Sequence, residues 1–442
     1  MKRVRNRSLM ILLMTVLLLI GMMVFLFRWA NQGRDWVGYF SNTTYYTNGS
    51  IYDRNGITLY DGGSRSYNES GSIRRAVMHL VGDQNIATSM RNVQAGRLSG
   101  FHPVTGTASG GHDLYLTVDA KLNEIAYNAL NGRKGVVAVY NYITGEVICQ
   151  VSAPAFDPLN PPSNLDDPRY EGAYLNRFFS SVFTPGSIFK IVTTAVALEE
   201  LNDLETWRYT CTGEMEFGAQ SVTCPSVHGA ELTLAQAFAH SCNCAYAQLA
   251  LDLGGSALQK MAKKGGLLSS VEISGVTTGT GVFEIGGAGS IELAWSGSGQ
   301  YHNMVSPATF LTLMGSIANG GTAVLPTFLM KETFSGTSVP SALRLGSGSE
   351  KLWKSATCNQ LKEMMRNNVV EIYGQARFGD LAVCAKSGTA EVGGGNAPHA
   401  WFAGFIDDAQ HPLAFVVLVE NGGSGSSVAG EVAAKVLLAA TE

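Results

Sequence analysis

The first change of rhythm along the chain is an uninterrupted apolar run. From Ser8 to Phe27 (SLMILLMTVLLLIGMMVFLF) 20 consecutive positions carry no charge, and Arg28 closes the stretch. At about 1.5 Å per residue such a helix reaches about 30 Å, the thickness of a bilayer core. A secretory signal has a shorter apolar stretch of about 7–15 residues before a small-x-small cleavage site. Arg28-Trp29-Ala30-Asn31 offers no clear site of that kind. The pattern therefore predicts an uncleaved membrane anchor; a buried core helix would need a polar face. Basic residues ahead of the span hold the N-terminus in the cytoplasm, and the remaining chain lies outside.

Residues 29–110 are rich in Asn, Ser, Tyr and Gly and weak in apolar periodicity. Within them TNGSIYDRNGITLYDGG holds two short alternating runs around Asp53-Arg54-Asn55-Gly56, a turn signal between strands. This segment is expected to form a small β-rich stalk ending in the Gly/Ser/His-rich stretch before Asp113. LYLTVDAKLNEIAYNAL then predicts a strand followed by an amphipathic helix, and GVVAVYNYITGEVICQVSAP an antiparallel hairpin around Thr144-Gly145. Residues 186–200 and 232–254 have helical character. LAVCAKSGTAEVG, HAWFAGFID and LAFVVLVEN are three consecutive strands, and the last residues form a helix. Early hairpin, late meander and helices between them predict an α+β domain with a largely antiparallel sheet and flanking helices. The expected division is 1–28 anchor with a basic tip, 29–110 stalk, 111–442 main domain.

Composition narrows the class. Hydrophobic residues form 45% and charged residues 15% of the 442, so a large core is expected and general disorder is excluded. The net charge of −4 argues against a nucleic-acid-binding surface, which needs a basic face. Lys2, Arg3, Arg5 and Arg7 concentrate positive charge ahead of the span. Among the seven cysteines, a Cys211–Cys224 disulfide would close a short loop and add about 3 kcal/mol; the alternative is that all are small buried apolar residues. No C-x-x-C pair or His cluster has metal-ligand spacing, so a zinc site has little support.

Three short motifs carry candidate chemistry. In FTPGSIFKIVTTAVALEE, Pro185-Gly186 break the preceding segment and Ser187 enters the first turn of a helix, with Lys190 on the same face. A serine hydroxyl needs a base, and a buried lysine can be neutral near pH 7 and serve as one. The helix start adds backbone N–H groups suited to an oxyanion. Ser241-Cys242-Asn243 lies on a connection between two helical runs, where a hydroxyl can relay a proton and an amide can hold a substrate. Serine also caps helices, and Ser66-Tyr67-Asn68 repeats the pattern in the stalk. Lys386-Ser387-Gly388-Thr389 lies in an apolar strand, where a lysine is costly unless a cleft needs a cation. Gly388 would allow a substrate backbone to approach, and Ser387 and Thr389 to bind a carboxylate; the plain alternative is a protective edge lysine. Cys242 and Cys384 are expected to pack.

Each motif alone arises by chance. Together, in this order, 54 and then 145 residues apart, they resemble the Ser-x-x-Lys, Ser-x-Asn and Lys-Ser/Thr-Gly trio of penicillin-binding proteins and serine β-lactamases. The likeness extends through LTVDAKLNEIAYNAL, GVVAVYNYITGEVICQVSAPAFDP and ELTLAQAFAHSCNCAYAQLALDLG, over about residues 111–442. It is similar to the class B penicillin-binding proteins, in their small A type. GSIYDRNGITLY resembles the start of that family's outward region more loosely, with Asn48 where arginine is usual. The resemblance implies a peptidoglycan D,D-transpeptidase in which Ser187 attacks a D-Ala-D-Ala stem peptide and Lys190 accepts the proton. Ser241 would relay a proton to the departing D-alanine beside Lys386. Asn243 would position the peptide amide, and Ser387, Gly388 and Thr389 would form the carboxylate-binding strand, with the N–H groups of Ser187 and Thr389 as oxyanion hole. It also implies acylation by β-lactams, no metal or organic cofactor, and a partner that is a membrane-embedded glycan polymerase of the shape, elongation, division and sporulation family. A carboxypeptidase or β-lactamase would share the trio but use water, and a scaffold with a decayed site would not keep all three motifs.

Overall fold

A computed structural model of the chain describes residues 2–40, 48–83, 85–99, 101–102, 107–108, 111–284, 286–334, 337–340 and 349–442. The N-terminal run forms one helix, α1 (Lys2–Phe40). Within its Arg5–Phe27 portion an 18-residue window has mean hydropathy 3.0 and buries none of its residues against the chain, as a lipid-facing helix does. Among the described residues it is the one helix long and apolar enough to cross a membrane.

The predicted turn at Asp53 joins two strands, Ile51–Tyr52 and Thr58–Asp61. Asp53 is fully buried, and its carboxylate accepts from the N–H groups of Asn55 (2.9 Å), Ile57 (2.7 Å) and Ala120 (3.1 Å). A short polar side chain thus closes the turn and clamps it to the helix α2 (Ala120–Leu130), whose own N-cap is Asp119. Ile51–Tyr52 pairs in parallel with Asp113–Leu116, inside a six-stranded sheet that also holds Leu329–Phe334. The residues expected to end the stalk include 103–106 and 109–110, which lie outside the described residues. The motif repeat Ser66-Tyr67-Asn68 lies at the edge of this sheet, where Asn68 Nδ2 donates to the Thr58 carbonyl at 2.7 Å.

The central sheet has five strands: β1 (Gly135–Asn141), β2 (Val147–Ala153), β3 (Val383–Ala390), β4 (His399–Ile406) and β5 (Leu413–Val419). They run in the order β3-β4-β5-β1-β2, every pair antiparallel. The expected hairpin and meander are therefore joined edge to edge by β5 and β1. Both faces are covered, which explains why the strands are apolar at nearly every position. Val136, Ala138 and Tyr140 point to one core with Trp401 and Val416; Val137 and Val139 point to the other with Phe402 and Val417. The helices α3 (Lys190–Glu200), α4 (Asn243–Leu253) and the wholly buried α5 (Pro307–Ala318) build the first core. Helices α2 and α6 (Gly430–Thr441) cover the second. Strand β3 is one of the sheet's two outer strands, and the three motifs meet beside it.

Candidate active site

The turn carrying Ser187 is held against β3 by two glycines. Gly186 has φ +55°, and a Cβ there would stand 2.6 Å from the Thr389 carbonyl oxygen and 2.9 Å from Ala390 Cα, so only glycine lets the turn lie on the strand. Opposite it, a Cβ on Gly388 would stand 2.9 Å from Pro185 O and 3.0 Å from Ile188 Cγ2. The open space expected at Gly388 for a substrate backbone is, on this side, filled by the chain's own turn. The Trp401 indole donates to the Thr184 carbonyl at 2.9 Å, and Gly186 N–H donates to the Gly299 carbonyl at 3.0 Å. Residues Gly186–Phe189 form a 3₁₀ turn that passes directly into α3 at Lys190. Ser187 is half-buried there, and Lys190 is fully buried.

Ser241 occupies a left-handed turn (φ +54°) between the helix Leu234–Ala239 and α4. The capping role expected as an alternative for Ser241 falls instead to Cys242, whose sulfur accepts from Ala245 N–H. Ser241 is thus left free to face the lysines, in a conformation that costs a non-glycine residue about 1–3 kcal/mol. Its hydroxyl lies 3.1 Å from Lys190 Nζ and 3.0 Å from Lys386 Nζ. Lys190 Nζ also donates to the Ser241 carbonyl at 2.6 Å and to Asn243 Oδ1 at 2.7 Å. Asn243 Nδ2 donates to the Thr223 carbonyl at 2.8 Å, which fixes the amide's orientation. Lys386 Nζ also donates to the Ser387 carbonyl at 3.1 Å.

Both lysines are 0% exposed, and among the described residues neither meets a carboxylate. Burial lowers Lys190 from 10.5 to about 7, against the pull of the nearby cysteine sulfurs. Burial, and then repulsion from Lys190, holds Lys386 well below the usual lysine range. The rings of Tyr246 and Phe238, 5.3 and 5.6 Å from the two nitrogens, form apolar walls around them. One amine is thereby kept able to accept a proton within a turn of Ser187. Lys386 does not decorate the open sheet edge, as a protective lysine would; its amine points inward.

Ser387 and Thr389 line the same strand. Tyr373, from a π-helical turn (Asn368–Gly374), accepts from Ser387 N–H at 3.0 Å and donates to Ser387 Oγ at 3.1 Å. Thr389 is exposed; its hydroxyl accepts from Gly425 N–H at 3.5 Å, and its carbonyl accepts from Gln300 Nε2 at 3.4 Å. All eight candidate residues therefore lie around one turn–strand junction. Tyr373, Gln300 and the Thr223 carbonyl were not signalled by any local motif, because each arrives from a separate element.

Cys211 and Cys224 are not bonded; their sulfurs are 3.8 Å apart. Although no metal-ligand spacing was evident along the chain, the fold gathers Cys211, Cys224, His228 and Cys242 so that their ligand atoms all lie within 4.8 Å of one another. Cys384 packs in the core as expected.

An antiparallel sheet covered on both faces, with a Ser-x-x-Lys turn seated on its outer strand, is the penicillin-binding-protein transpeptidase fold. The chain belongs to the penicillin binding protein transpeptidase domain family, whose model matches residues 135–438. It is 28% identical over 369 residues to the peptidoglycan D,D-transpeptidase PbpA of Mycolicibacterium smegmatis, covering 76% of this chain and 72% of that relative. Among solved structures, it is similar to penicillin-binding protein A of M. tuberculosis in its ceftriaxone acyl-enzyme complex. That match has TM-score 0.75 and 22% identity and covers 91% of this chain and 100% of the other. A structure of a peptidoglycan synthase complex that coordinates polymerization and crosslinking matches with TM-score 0.63 and 27% identity, over 76% of this chain and 63% of the other.

Proposed function

We propose that this protein is a membrane-anchored peptidoglycan D,D-transpeptidase that works through a serine acyl-enzyme on Ser187. The observation that carries this reading is the pair of buried lysines, without acidic partners among the described residues, meeting on one hydroxyl, Ser241, beside the Ser187 turn. Lys190, as neutral amine, takes the Ser187 proton while Oγ bonds to the carbonyl carbon of the penultimate D-alanine. The N–H groups of Ser187 and Thr389 hold the oxyanion. The peptide C–N bond then breaks, and the departing D-alanine takes its proton through Ser241, with Lys386 at the same hydroxyl. Asn243 positions the peptide amide; Ser387 and Thr389, which flank Gly388 on the strand, bind the terminal carboxylate. An amine of a neighbouring stem peptide attacks the acyl carbon, releases Ser187 and completes the cross-link. A β-lactam enters the same step and stays attached.

In this reading residues 1–28 form the cytoplasmic tip and anchor, 29–110 the stalk, and 111–442 an extracytoplasmic domain on a single-pass protein of the bacterial cell membrane. The likeness to a component of a peptidoglycan synthase complex supports a membrane-embedded glycan polymerase as partner. The test is fluorescent penicillin on the membrane fraction, wild type against Ser187→Ala. A long-lived covalent band in the wild type alone is expected. Destruction of penicillin without a band would make the protein a β-lactamase, and neither band nor turnover in folded protein would end the enzymatic reading.

A further inference from the structure

A second polar cluster, buried at Cys211 and Cys242 and half-buried at Cys224 and His228, has no part in the acyl-transfer steps. Cys211 ends the strand Tyr209–Cys211, which pairs with Gly229–Leu232 one residue after His228. Cys224 follows the hairpin Glu214–Phe217/Gln220–Thr223, and Cys242 caps α4. Three separate elements therefore deliver sulfur to one point, and His228 adds an imidazole nitrogen.

The separations fit a common central ion. Four ligands around tetrahedral Zn²⁺, with Zn–S about 2.3 Å and Zn–N about 2.0–2.1 Å, stand about 3.8 Å apart sulfur to sulfur and about 3.6 Å sulfur to nitrogen. Cys211–Cys224 is 3.8 Å, Cys224–Cys242 is 3.7 Å and Cys211 Sγ–His228 Nδ1 is 3.4 Å. All four ligand atoms lie within 4.8 Å of one another. Simple packing of thiols does not aim an imidazole Nδ1 into the same point. His228 Nε2 lies 3.4 Å from Ser226 Oγ; in the tautomer in which Nε2 donates to that hydroxyl, Nδ1 is the lone-pair nitrogen, and such an outer-shell contact orients a metal-bound histidine. Backbone N–H groups of Cys244 and Ala245 donate to the sulfurs of Cys224 and Cys242 at 3.4 Å, as suits sulfur carrying negative charge. Cys244 lies 3.4 Å from Cys224 but turns its S–H to the Val222 carbonyl.

We propose that Cys211, Cys224, Cys242 and His228 form a closed structural Zn²⁺ site that staples the 209–232 β segment to the Ser241–Asn243 loop. Soft thiolate ligands in tetrahedral array select zinc over magnesium or calcium. On binding, three thiols release their protons to water, and three thiolates with neutral imidazole hold the ion. The mechanical consequence is specific: Thr223, whose carbonyl orients Asn243, immediately precedes one ligand, and Ser241 and Asn243 flank another. Metal binding itself does not depend on the transpeptidase reading; its effect on penicillin acylation does.

The full-length protein, purified in detergent with free thiols, is exposed to zinc alone, desalted and analysed for metal. About one zinc per chain is expected, lost in Cys211→Ser and in His228→Ala and kept in Cys358→Ser, whose thiol is buried elsewhere. Cobalt(II) exchanged into the wild type should give the visible bands of tetrahedral thiolate coordination. Chelation should make Cys211, Cys224 and Cys242 newly alkylatable by mass mapping, a wild-type measurement that survives misfolding of any variant. Penicillin acylation should slow on chelation and return on adding zinc. Failure of wild-type acylation with zinc bound would count against the transpeptidase reading and leave the metal site standing. Zinc-free protein with a disulfide among these cysteines, zinc-free protein with all thiols free, or zinc retained by both ligand variants would each overturn the site.

Discussion

Two kinds of buried cation coexist in this fold, and they are treated in opposite ways. Arg74 meets Asp157 in a two-pronged pair, Nε to Oδ1 at 2.7 Å and Nη2 to Oδ2 at 2.6 Å, with both side chains about nine-tenths buried. The Arg74 guanidinium holds Asp157 down to about 2, so both charges persist. Lys190 and Lys386 are more deeply buried still, yet among the described residues their amines donate only to hydroxyl, carbonyl and amide oxygens. Paired charge ties elements together; unpaired charge is pushed toward losing its proton. One arrangement stabilises the fold; in the proposed function the other keeps an amine ready to take a proton, at some expense of stability.

Substituting the cations separates the two roles. Lys190→Met should lower the rate of penicillin acylation about 10⁴-fold, the upper range for a lost general base, while the melting temperature holds or rises. Measuring both on one preparation checks this; a large drop in melting temperature with acylation preserved would make Lys190 structural. Arg74→Met should do the reverse. It strands a buried carboxylate and removes about 3–5 kcal/mol of stability, with acylation of the remaining folded protein intact. Because Asp157 is depressed in the fold, the pair's contribution is full above its unfolded value near 3.8 and is lost as pH falls toward 2. Denaturant melts of wild type and variant should therefore converge at low pH.

The lysine pair also predicts a pH profile that the arginine pair does not. The accepting form of Lys190 is the neutral amine, and its fraction falls tenfold per unit below its value of about 7. Acylation should be about 100-fold slower at pH 5 than at pH 8, with folding unchanged over that interval. A flat profile from 5 to 8 would mean that another group takes the Ser187 proton.

Much of this contrast was legible along the chain, and the missing parts share a physical cause. The strands of the central sheet declared themselves through runs such as LAFVVLV, because a sheet buried on both faces leaves no polar position to disguise it. The N-terminal apolar helix was equally plain, because 20 successive residues without a charge leave no polar position to disguise it. Ser187, Lys190, Ser241, Asn243 and the Lys386–Thr389 strand sit in short motifs whose order is informative. By contrast the strand Leu329–Phe334 carries Lys331 and Glu332 and shows no clean alternation, so its place in the six-stranded sheet was hidden. The cysteine cluster escaped because its members are scattered from 211 to 242 and only tertiary packing brings them together. Ser241 also looked like an ordinary helix cap until Cys242 proved to hold that position.

Tyr373 is the smallest expected effect and probes the edge of the comparison, where an uncharged group does the positioning. Burial raises its hydroxyl pKa, so it stays protonated and both accepts from Ser387 N–H and donates to Ser387 Oγ. Tyr373→Phe keeps the ring that packs edge-on against Phe402 at 5.3 Å and deletes only those two bonds. Each is worth about 0.5–1.5 kcal/mol net, so acylation by a carboxylate-bearing penicillin should slow about tenfold. An amide or ester analogue, which presents no carboxylate to Ser387, should lose less. Equal losses for acid and ester would show that Tyr373 holds the strand rather than the carboxylate pocket. A fall comparable with Lys190→Met would place it in the proton path, and the division between charged chemistry and neutral positioning would have to be redrawn.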